Sequence, residues 1–208
     1  MTRIDIESGL IDLTGKSPLE HLRTELEIYR SMRRRMVGGD DCEFRFIGME
    51  DLVLQHGTVY TPGTLPADHR FHTIMKACFF NCRKAVIRQR SKQQWIYVEG
   101  FASAVLKDKR VLPMAHHAWL THVDTPTIAF DPTWGESDDY AQEEIAYLGI
   151  PVRREYVIDI FRRSSTPNDP NYSVFDVRRA DYPVLTGKDR VEDIMVSFPE
   201  PLRGQQRP

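Results

Sequence analysis

Long apolar runs are missing from this 208-residue chain. No stretch approaches the ~18 consecutive apolar residues that a membrane-spanning helix needs, and the opening MTRIDIESGL lacks the apolar segment of a secretory signal. The expectation is a cytoplasmic protein that does not engage a membrane. Net charge is also nearly absent: 28 Lys and Arg against 30 Asp and Glu leave −2, so no overall basic field draws nucleic acid. The local run Arg33-Arg34-Arg35 reads as the solvated face of a helix. Cysteine is scarce, with Cys42, Cys78 and Cys82 at irregular spacing, which excludes a disulfide framework and leaves reduced thiols. There is no C-x-x-C, H-E-x-x-H or H-x-H pair, no Gly-rich phosphate loop and no internal repeat, so neither a metal nor another cofactor is expected. His69 and His72, three apart, read as solvent-facing or supporting histidines rather than a metal pair.

What remains is ordinary globular material, 41% apolar and 28% charged, of a length that suits one core. Ser17-Pro18-Leu19-Glu20 combines an N-cap, a proline at the first helical position and a capping-box glutamate. Leu19, Leu22, Leu26, Tyr29 and Met36 then recur at helical spacing until Gly38-Gly39, which predicts an N-terminal helix over about 18–37. Residues 43–60 read as short strands and turns, and 61–70, with Pro62, Gly63 and Pro66, as a loop. A helix is predicted from Thr73 to Lys92, with Cys78 and Cys82 on one side. Three β-type runs follow, 95–101, 115–123 and 127–130, separated by the turn-like 107–110 and 124–126, which predicts an antiparallel meander. A helix is predicted over 140–147 and a further ordered segment over 152–162. SSTPNDPNYS reads as a linker or a long loop. The expected organisation is one α+β domain over residues 1–197, with its core at 43–162, then a disordered tail over 198–208.

The chemistry-bearing residues are Cys78 on a helix, His117 on the second β-run and Asp131 at the end of the third. A thiol becomes a useful nucleophile when an imidazole takes its proton and a helix N-terminus favours the thiolate, and a carboxylate fixes the imidazole's tautomer. If 115–123 turns back into 127–130, adjacent antiparallel strands bring His117 and Asp131 side by side. Strand alternation sends His116 and His122 to the other face from His117. A lone cysteine on a helix is usually a small buried hydrophobe, and Cys82 and Cys42 read that way; only the joint pattern raises Cys78 above it. Trp119 and Trp134 read as walls of a site or as core. Asn81, one helical turn after Cys78, can reach the same cleft or simply face solvent.

The order of Cys78, Tyr97-Val98-Glu99-Gly100-Phe101, His117-Ala118-Trp119 and Asp131-Pro132-Thr133 resembles the core of transglutaminase-like proteins, a branch of the papain-like cysteine enzymes. The resemblance covers about residues 75–135. It implies a papain-like (transglutaminase-like) core, with the nucleophile helix packed on an antiparallel β-sheet. It also implies roles: Cys78 as nucleophile, His117 as general base and acid, Asp131 as the residue that orients His117. Gln55 is similar to the upstream glutamine that lends its amide to the oxyanion in papain-like enzymes, beside the backbone N–H of Cys78.

Two functions share these residues. One is cysteine-dependent acyl transfer on a protein, a peptide or a small amide, with water or an amine as acceptor. The other is a non-catalytic binding or regulatory module that keeps the transglutaminase-like fold.

Overall fold

In the computed structural model, the residues described are 16–36, 44–67, 73–89, 94–106, 111–134, 140–163, 172–175 and 183–198. Cys42, His69, His72, the turn at 107–110, most of the expected linker after Ser164 and the tail beyond 198 lie outside them.

Helix α1 (Pro18–Met36) starts where the capping signal places it. The Ser17 and Glu20 side chains cap each other's backbone, the Ser17 amide donating to Glu20 Oε2 at 2.8 Å and the Glu20 amide to Ser17 Oγ at 3.3 Å. Leu22 and Leu26 are fully buried, each worth roughly 1.5–3 kcal/mol of transfer free energy. From Ser31 to Met36 the helix is exposed on every side. A second helix, α2 (Met49–His56), occupies the region expected to be strand and turn. Its limits are Gly48 and Gly57, and Gly57 N–H closes the last turn on the Val53 carbonyl.

Five strands form the centre: β1 (Thr58–Gly63), β2 (Trp95–Leu106), β3 (Val111–His122), β4 (Thr125–Phe130) and β5 (Tyr140–Val152). The meander β2-β3-β4 is antiparallel. It does not remain an open sheet: β5 pairs with β2 and β1, β1 pairs in parallel with β4, and the order β1-β4-β3-β2-β5 closes into a barrel. This overturns the expected papain-like arrangement of a nucleophile helix on an antiparallel sheet. Two misread segments account for the difference. Residues 58–63 are a strand despite Pro62 and Gly63, which fall at its end, and the expected helix over 140–147 is part of the thirteen-residue β5. The helical propensity of Ala-Gln-Glu-Glu yields there to the antiparallel pairing of β5 with β2, which runs from Tyr140 to Val152.

Small barrels need strands that coil tightly, and two glycines allow it. Gly100 and Gly149 face each other across β2 and β5. A Cβ on Gly100 would lie 2.2 Å from the Leu148 carbonyl oxygen, and one on Gly149 2.5 Å from the Trp119 ring.

Strand parity separates two cores. Val98, Ala102, Ala104, Trp119, Ala129, Ile145 and Tyr147 pack with Tyr60 inside the barrel. Tyr97, Phe101, Ala118, Leu120, Leu148 and Ile150 face outward beneath the helices. Helix α3 (Cys78–Arg88) lies on that outer face against β2 and β3. Helix α4 (Arg154–Arg163) packs on α3, and the short helix α5 (Val191–Ile194) ends in a bridge from Met195 to Val152. Among the described residues no helix is long and apolar enough to cross a membrane.

Candidate active site

Helix α3 begins at Cys78, five residues later than expected. The reason lies in the backbone before it. Lys76 has φ of 62°, in the left-handed region that a lysine enters only at a cost, and a helix cannot run through it. Asn81 holds the approach: its Oδ1 accepts from the Ile74 amide and its Nδ2 donates to the Ile74 carbonyl, both at 2.9 Å. Cys78 therefore stands in the first turn, where the helix dipole favours a thiolate. The N-cap is Ala77, without a capping side chain, and the first turn carries no acidic residue. The first intrahelical donor is Asn81 N–H, to Ala77, so the amides of Cys78, Phe79 and Phe80 have no acceptor within the helix.

His117 comes from β3 on the barrel-interior side. Its register neighbour on β2 is Gly100, which in turn pairs with Gly149 on β5. Nε2 of His117 donates to Asp131 Oδ2 at 2.6 Å. Cys78 lies close enough to the same ring to strengthen its hold on a proton. Asp131 follows the end of β4, and each of its oxygens has two donors. Oδ1 accepts the amides of Thr133 (2.8 Å) and Trp134 (3.0 Å), and Oδ2 accepts His117 and the Tyr147 hydroxyl (2.9 Å).

Burial and charge oppose each other in this pair. His117 and Asp131 are each only 2% exposed. Burial alone would lower the His117 pKa, but the Asp131 carboxylate, then Cys78, outweigh it and push the ring up to about 10. Burial would raise Asp131; the imidazolium of His117 and the two backbone amides hold it below the usual carboxylate range instead. The arrangement favours an imidazolium beside the Asp131 carboxylate. Cys82, one turn deeper and fully buried, has its thiol pushed well up by burial, then by the charge of Asp131. It behaves as core.

The remaining expected site residues separate. Trp134 stacks on the His117 ring at 4.4 Å between centroids and 26° between planes, and so walls the site. Trp119 is fully buried inside the barrel against Tyr147 and Tyr60. Its Nε1 has no hydrogen-bond partner among the described residues. Asn81 is neither solvent-facing nor free to bind an oxyanion: it is buried, and its amide nitrogen is divided between Ile74 and Thr133 Oγ1 at 3.1 Å. It braces the turn before Cys78 to the turn after Asp131. Gln55 projects exposed from α2, where its Nε2 donates to Asp51 Oδ1 at 2.9 Å, so that donor is taken up within its own helix.

Tyr147 was not legible as a site residue, because a helix over 140–147 gives it no register with β2. The signal was the alternation of Ile145, Tyr147 and Gly149 with Ala146, Leu148 and Ile150, hidden because both faces are apolar. Among the described residues no three His, Cys, Asp or Glu side chains form a metal cage. Comparison with protein-family models, with curated proteins and with solved structures gives no match to this chain.

Proposed function

We propose that this protein is a cysteine-dependent acyl-transfer enzyme with Cys78 as nucleophile, His117 as general base and acid, and Asp131 as the residue that fixes His117. The observation that carries this reading is the buried His117–Asp131 hydrogen bond of 2.6 Å, with Cys78, the first residue of α3, near enough to the same ring to raise its pKa. The motif-level resemblance to transglutaminase-like proteins supports the same roles, without the papain-like sheet.

In the mechanism, the Cys78 proton rests on His117 before substrate arrives, and the thiolate attacks the carbonyl carbon of an amide or ester. The developing oxyanion meets the N–H of Cys78 at the uncapped start of α3, and the helix dipole favours the charge. His117 then gives its proton to the leaving amine or alcohol, and a thioester remains on Cys78. Water or a second amine, deprotonated by His117, attacks the thioester and restores the thiol. Throughout, Trp134 covers the ring and limits access of bulk water. The substrate is a protein, a peptide or a small amide, and the reduced thiol suits the cytoplasm.

Alkylation by iodoacetamide, followed against pH and resolved by site with mass spectrometry, tests this on wild type and His117→Ala. Fast labelling of Cys78 near pH 6 that disappears in the variant supports the pair. Labelling that rises only near the ordinary thiol pKa of ~8.5 would return the protein to the binding-module reading.

A further inference from the structure

Resting on the acyl-transfer reading, we propose that Tyr147 is a positioning residue of this site, acting through Asp131 to set the lower pH limit of Cys78 reactivity. Among the described residues, Asp131 has one other side-chain donor besides His117, the Tyr147 hydroxyl. Both converge on the same oxygen, Oδ2, whereas among the described residues Oδ1 takes only amides of its own turn. The turn alone therefore fixes one oxygen, and the placement of the other, the one that holds the imidazole, depends on a residue from β5.

The surroundings make that dependence rigid. Tyr147 is 1% exposed. Its ring packs on Trp119 at 4.9 Å between centroids, and its backbone is in register with Ala102 on β2 and Tyr60 on β1. β5 is the strand that closes the barrel between β1 and β2, so barrel closure and the orientation of His117 share this hydroxyl. Chemically, a hydroxyl donating to a carboxylate favours its ionised form. Without that donor Asp131 accepts a proton at higher pH, and a neutral Asp131 no longer holds an imidazolium.

The test is the pH profile of Cys78 alkylation in wild type, Tyr147→Phe and Tyr60→Phe. Phenylalanine at 147 keeps the ring against Trp119 and removes only the oxygen, and circular dichroism with thermal melting checks that each variant is folded. Tyr60 is the matched control: a buried barrel-interior tyrosine, also edge-on to Trp119 at 5.5 Å, with no hydrogen bond to Asp131. For Tyr147→Phe the acid limb moves up by about one pH unit and alkylation below it slows roughly tenfold; Tyr60→Phe keeps the wild-type limb. An unshifted limb in Tyr147→Phe, or the same shift in both variants, overturns the proposal while leaving the Cys78–His117 pair in place. A wild-type protein in which Cys78 shows no acid-side reactivity dependent on His117 overturns the catalytic reading and this proposal with it.

Discussion

His116 and His117 are adjacent on β3, and each bonds a buried carboxylate, yet the two pairs do different things. His116 points to the outer face and meets Glu99 at 2.9 Å; His117 points into the barrel and meets Asp131 at 2.6 Å. Glu99 is fully buried, and its other partners are the Tyr97 hydroxyl, Ser173 and the amides of Val174 and Phe175. Burial opposes its ionisation, and His116 with the hydroxyl donors reverses that, holding its pKa low. All of those donors stabilise one charge, and those from Ser173, Val174 and Phe175 tie residues 173–175 to the barrel. His116 itself is wedged between Phe79 and Phe101. Asp131 is equally saturated, but its histidine also feels the Cys78 thiol at a helix start. A His–carboxylate pair is thus a fold anchor or a candidate catalytic pair according to what else the ring meets.

The sharpest way to break this comparison is His117→Ala. It should slow Cys78 alkylation at pH 6, and any acyl transfer, by roughly 10²–10⁴-fold, measured by site-resolved labelling; a rate equal to wild type would reduce the inner pair to packing. Glu99→Gln should do the reverse. Loss of the buried charge destabilises the fold by about 3–5 kcal/mol in urea unfolding, while Cys78 in the folded fraction keeps its wild-type alkylation profile. His116→Ala, which leaves Glu99 its hydroxyl and amide donors, should cost about 1–2 kcal/mol and leave the same profile intact.

The inner pair also carries a pH signature. The folded pKa of His117 lies at about 10, above the ordinary ~6.5 of an unfolded histidine. Its contribution to stability is therefore complete below ~6.5 and is lost as pH rises toward the folded value. Thermal melts of wild type and His117→Ala should differ most near pH 6 and converge toward pH 10; a constant gap would contradict the raised pKa. Smallest of all, Gln55→Ala should change stability by less than about 0.5 kcal/mol and leave Cys78 reactivity alone. A large rate loss there would restore Gln55 as an oxyanion donor.

Local chemistry made some of this molecule readable in advance. Ser17 and Glu20 specify their helix start through hydrogen bonds within one turn, and the alternation in 115–123 assigns His117 and His116 to opposite faces because the strand period is two. The spacing from His117 to Asp131 anticipated their meeting. The strand at 140–152 was not readable, since Ala-Gln-Glu-Glu favours helix locally and both faces of the remainder are buried. The role of Asn81 was equally hidden, because its partners Ile74 and Thr133 lie in turns whose shape the residues themselves do not announce.

The sequence by itself determined the N-terminal helix, the β2-β3-β4 meander and the residue types that can form a thiol–imidazole–carboxylate set. Only the tertiary structure decided that the sheet closes, that α3 starts at Cys78, and that Tyr147 reaches Asp131. Capping and strand alternation act over a few residues and leave marks in composition. Barrel closure instead depends on backbone hydrogen bonds of β5 with the distant β1 and β2, the latter brought close at Gly100 and Gly149, and such bonds are indifferent to side-chain identity.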